Sequence, residues 1–147
     1  MADVGSYTEV MGSNAPIVNS DSRVGGRIIH LKFTHDGTDP LSVTLSDKTM
    51  RELAGKYVFK IRQIPDDTLP VTNATDLTIT DSDGYDHLGS NGADFLLSGT
   101  PSETLCYNSF LGTNEYAMFS TSLPLTVGTS GNSISGASFS LKFFIVS

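Results

Sequence analysis

Lys56-Tyr57-Val58-Phe59-Lys60-Ile61-Arg62-Gln63-Ile64, closed by Pro65, is the stretch on which the fold class turns. β-branched and aromatic residues dominate it, as in strands. Tyr57, Phe59 and Ile61 alternate with Lys60 and Arg62, so one face is expected inside and the other in solvent. Proline ends the run because it has no N–H to give to a ladder.

The same period-two pattern recurs on both sides of this strand. In residues 27–34 (RIIHLKFT), Ile29, Leu31 and Phe33 share a face opposite Ile28, His30, Lys32 and Thr34. Asp36-Gly37 offers a turn suited to positive φ, and residues 41–45 (LSVTL) alternate again. A hairpin between these two runs is therefore expected. Residues 47–54 (DKTMRELA) are the one helical stretch: Met50, Leu53 and Ala54 fall on one side, and Gly55 terminates it. Downstream, residues 76–80, 104–110, 123–127 and 137–146 read as further strands, and 128–133 as a turn. In the last strand Phe139, Leu141, Phe143 and Ile145 form one face. Phe144 and Val146 interrupt the other, which predicts cover on both sides of its end.

Six to eight short strands separated by turns predict an all-β fold, a single-domain β-sandwich or partly open barrel. Residues 1–25 are small and polar and are expected to form an extended N-terminal arm, with one short strand near residues 7–11. Residues 26–147 are expected to form the β-sandwich domain.

Composition narrows the function. Only 17% of the 147 residues are charged, against about 25% in a typical domain. Ser and Thr make up about a quarter. A net charge of −7 disfavours a nucleic-acid surface and adhesion to anionic membranes. The N-terminal residues lack the basic and apolar regions of a secretory signal. Cys106 is the sole cysteine, so no intramolecular disulfide forms, and it reads as a small buried hydrophobe.

Several clusters raise the question of chemistry. Asp81-Ser82-Asp83-Gly84-Tyr85-Asp86 is the densest acidic run. Carboxylates on a tight loop suit a hard cation, but the spacing is not that of an EF-hand. The simpler reading is a β-turn in which Asp81 bonds its own backbone. His30, His35 and His87 have no zinc-site spacing and read as surface or rim residues. Gly89-Ser90-Asn91-Gly92 lacks the following amphipathic helix of a phosphate loop. Asp66-Asp67 reads as a solvated pair, and Asn73-Ala74-Thr75 matters as a glycosylation sequon only on a secretory route. No catalytic residue, metal ligand or cofactor is expected. Tyr107, Phe110, Tyr116, Met118 and Phe119, in a Ser/Asn/Gly-rich context, are either interface residues or core beneath a long loop.

Residues 57–67, a strand closing on Ile64-Pro65-Asp66 and then Asp67, are followed by Asp76-Leu77-Thr78-Ile79-Thr80-Asp81-Ser82-Asp83-Gly84-Tyr85-Asp86-His87-Leu88-Gly89. Leu125-Thr126-Val127, Gly136 and residues 139–145 complete the pattern. In this order the segments resemble small β-rich structural proteins of tailed bacteriophages, over about three fifths of the chain. The resemblance implies a non-enzymatic virion protein on the capsid surface, a decoration or cement protein that binds the major capsid protein. Dimers or trimers of the chain are expected, with no direct nucleic-acid or membrane contact. A tail or head–tail connector component, or a receptor-binding spike tip, is the alternative.

Overall fold

The computed structural model describes residues 6–11, 16–17, 26–35, 40–53, 55–108, 113–115, 117–119, 123–130 and 135–146. The side chains of 6–27, 59, 106–118 and 146 lie outside that description. The strands are β1 (Ser6–Met11), β2 (Pro16–Ile17), β3 (Gly26–Thr34), β4 (Ser42–Thr44), β5 (Tyr57–Pro65), β6 (Leu77–Thr80), β7 (Ser102–Thr104), β8 (Cys106–Asn108), β9 (Thr113–Glu115), β10 (Ala117–Met118), β11 (Thr126–Thr129) and β12 (Ser138–Val146). One helix, α1 (Asp47–Leu53), joins β4 to β5. The fold is all-β.

Two antiparallel sheets carry the architecture. The larger runs β1-β3-β12-β5-β10, with β2 paired to β3 and β7 to β5. The smaller runs β4-β11-β6, and β8-β9 form a separate ribbon. Neither of the two main sheets closes on itself. Their inner faces share one core. Across β3 and β12 the register sets Phe33 opposite Phe139, Leu31 opposite Leu141 and Ile29 opposite Phe143. All six are fully buried. The Phe33 and Phe139 rings stack with centroids 5.3 Å apart. From the small sheet, Val43, Val127 and Ile79 line up in one row and face the same core.

Three expectations about the strands need correction. Residues 41–45 do not form a hairpin with β3: β4 pairs with β11, so the chain changes sheet between β3 and β4. Alternation places Leu41, Val43 and Leu45 equally well on either inner face, so it does not select the partner. The residues of the expected Asp36-Gly37 turn lie outside those described.

Second, of the residues expected on the inner face of β5, Ile61 is fully buried but Tyr57 is not there, and the side chain of Phe59 lies outside those described. A bulge falls between the Phe144↔Lys60 and Ile145↔Val58 pairs. The extra residue reverses the parity upstream of it. Val58 is therefore fully buried and Tyr57 is 44% exposed. Third, the strand expected at 104–110 is split between β7, on β5, and β8, on β9. The expected turn at 128–133 also begins later, because Gly128 and Thr129 continue β11.

The helix follows its sequence signals. The Thr49 N–H donates to Ser46 Oγ (3.3 Å) at its start, and Gly55 stands at φ +75° after its end. Met50 and Leu53 are buried. Within the stretch read as an arm, β1 and β2 both pair with β3 of the same chain.

Candidate functional site

The acidic loop is a turn, held by its own carboxylates. Asp81 Oδ1 accepts the N–H groups of Asp83 (2.9 Å) and Tyr85 (3.2 Å), while its backbone carbonyl accepts from Gly84, at φ +85°. Asp81 Oδ2 lies 3.2 Å from His87 Nε2. Asp86 Oδ1 accepts from the Ile79 and Leu88 N–H groups, both at 3.1 Å, tying the loop back along β6. The two carboxylates thus point into the loop rather than toward one point in solvent. Among the described residues no group of three His, Cys, Asp or Glu side chains gathers.

Neighbouring loops use the same device. Asp76 Oδ1 accepts from the Asp94 N–H (2.8 Å), and Asn73 Oδ1 from the Ser98 N–H (3.0 Å). Asp66, of the Asp66-Asp67 pair, accepts from the Thr68 and Leu69 N–H groups and meets Lys32 at 3.4 Å. Gly89–Gly92 is a 3₁₀ turn whose last glycine packs against the Leu77 backbone.

The histidines are not all at the surface. His35 is buried: its N–H bonds the Ala137 carbonyl and its carbonyl takes the Gly136 N–H, where the chain leaves β3. His87 is half-buried, edge-on to Tyr85 and Phe119. His30 lies on the outer face of the large sheet, and neither ring nitrogen has a partner among the described residues. Phe119 belongs to the core. The side chains of Cys106, Tyr107, Phe110, Tyr116 and Met118 lie outside those described.

One surface feature was not anticipated from the sequence. His30, Lys142, Arg62 and Glu103 stand opposite one another across β3, β12, β5 and β7, forming one continuous row. Lys32 and Lys60 flank it on the same outer face. Lys60 and Arg62 reach over the Phe144 ring, at 4.5 and 4.9 Å from its centroid, and both pair with Glu103. The expected cover of Phe144 is thus supplied by cations. Among the described side chains, four of the nine Lys and Arg residues of this acidic chain share this face. The signal was in the sequence: residues 63–141 contain no Lys or Arg and nine Asp or Glu. Only the strand register shows that the two ends of that gap, Arg62 and Lys142, are neighbours.

These positions set the acid response. Burial, and then the Lys142 charge, hold the His30 imidazole below its ordinary pKa. The Leu69 N–H is the largest influence holding Asp66 low. For Glu103 it is the hydrogen bond from Arg62. For Asp81 burial opposes ionisation, but the N–H groups of Tyr85 and Asp83, with His87, outweigh it and the carboxyl is lowered. In all four cases the unfolded chain takes up the proton first, so stability falls as pH falls. Urea unfolding from pH 8 downward is expected to show a first decline below about pH 6.5, from His30, and a second below about pH 4, from the carboxylates. The first decline is expected to vanish in His30→Leu and the second to remain.

Compared with protein-family models, curated proteins and solved structures, the chain matches none. Among the described residues no helix is long and apolar enough to cross a membrane.

Proposed function

We propose that this chain is a non-enzymatic virion structural protein that decorates a phage capsid, binding the major capsid protein and stabilising the head. The observation that carries the reading is the use made of the Asp81–Asp86 motif. Its two structural carboxylates are committed to backbone N–H groups of their own loop. The motif on which the resemblance to phage structural proteins rests is thus a device for holding a loop in shape. A rigid loop on a β-scaffold suits docking onto a surface.

The mechanism is additive burial. A decoration protein sits where capsomers meet and repeats a modest contact across the lattice, so that avidity replaces a single tight site. A surface rich in Ser and Thr favours such packing, because a hydroxyl costs less to desolvate than a charge. The bound shell then opposes the outward pressure of packaged DNA.

The test is addition of purified protein to capsids that lack it. Saturable co-sedimentation, with DNA release moved to higher temperature, is the expected result. Capsids that neither bind the protein nor change their release temperature contradict the proposal.

A further inference from the structure

The basic face has a counterpart on the same molecule. The acids of the Asp76–Asp94 region belong to β6 and its loops, in the small sheet, the other layer of the fold. Asp83 and Asp94 are exposed there, as is Tyr85, two residues from Asp83 and 36% exposed. On the basic side Lys32, Lys60, Arg62 and Lys142 outnumber their acidic partners Asp66 and Glu103. No ion pair among the described residues involves Lys142, and Tyr57 is exposed on the same face. Among the described residues the large-sheet face thus keeps a net positive charge and the β6 side a net negative one, each near an exposed tyrosine, a residue type enriched at interfaces.

We propose that the outer face of the large sheet binds the acidic face of a second copy of this chain that exposes Asp83, in the Asp81–Asp86 loop, and Asp94. The occupant follows from charge complementarity: the chain carries its own acidic match on the opposite layer. A two-fold arrangement that set basic face against basic face would juxtapose like charges. The contact is therefore heterologous, head to tail, and builds a ring or a row of copies rather than an isologous dimer. It does not rest on capsid binding and is read on the purified chain alone.

Sedimentation velocity of the full chain tests it. The wild type is expected to self-associate at low salt, with a dissociation constant weaker by about tenfold or more at 0.3 M salt, where charge is screened. Lys60→Glu/Lys142→Glu reverses the basic face, and Ser82→Lys/Asp83→Lys cancels the negative charge of the loop. Each variant alone is expected to be monomeric, while an equal mixture of the two co-assembles, because each supplies the face the other now needs. Circular dichroism checks that both fold. If either does not, Lys142→Gln takes its place, with weakened association expected. A wild type that stays monomeric at low salt overturns the proposal, as does association that survives both pairs of substitutions. Capture of the monomer by poly-glutamate without self-association would assign the face to another acidic partner and equally overturn it.

Discussion

Phe139→Ala is expected to lower the unfolding free energy by about 4 kcal/mol, measured by urea denaturation. Phe139 is fully buried and stacks on Phe33 with centroids 5.3 Å apart. It also faces Pro65 across β5, so its ring fills the seam where β3, β12 and β5 meet. Removing it forfeits the transfer free energy of the ring and leaves a cavity that sheet backbone on three strands cannot close. Against a total stability of about 5–15 kcal/mol for a typical domain, that loss is large. Ser140→Ala, one residue along and on the opposite face, is expected within about 0.5 kcal/mol of wild type. A Phe139→Ala loss below about 1 kcal/mol would contradict the placement of the core.

Gly92→Ala is expected to cost about 3 kcal/mol through crowding. A Cβ at position 92 would stand 1.9 Å from the Leu77 carbonyl oxygen, 3.1 Å from its carbon and 3.4 Å from Leu88 Cβ. The first two atoms are backbone at the start of β6, which pairs with β11 through Leu77↔Thr129. No side-chain rotation relieves the clash: the 3₁₀ turn or the strand has to move. The melting temperature should fall by about 10 °C. Gly99→Ala, with nothing within 4 Å of the new methyl, is the matched control and is expected to be neutral. Equal melting temperatures for the two variants would mean that the turn does not lie against Leu77.

Which parts of the molecule were legible in the sequence follows from how local their causes are. The inner face of β3 and that of β12 read directly from period-two alternation, because every second residue is large and apolar. Met50, Leu53 and Gly55 marked α1 for the same local reason, while the Ser46 cap was not read from the sequence. The Asp81 turn was also legible, since its partners are two and four residues away.

What failed depended on distant partners. A bulge near the start of β5 reverses the faces of Tyr57 and Val58, and nothing in KYVFKIRQI marks where the extra residue falls. The partner of β4 is set by which edge β11 offers, more than eighty residues away along the chain. His35 read as a surface or rim residue, yet its backbone bonds to Ala137 and Gly136 hold it buried beneath the start of β12. The basic row is of the same kind. Its members come from positions 30, 62, 103 and 142, and only the sheet register brings them side by side.

The measurement that reaches the central claim most directly is the copy number of this chain in purified virions, by quantitative mass spectrometry against the major capsid protein. A decoration protein predicts a ratio of one to one, or a simple fraction of that order, over the whole lattice. Absence from virions, or a count matching a single ring or the vertices, would contradict the decoration role.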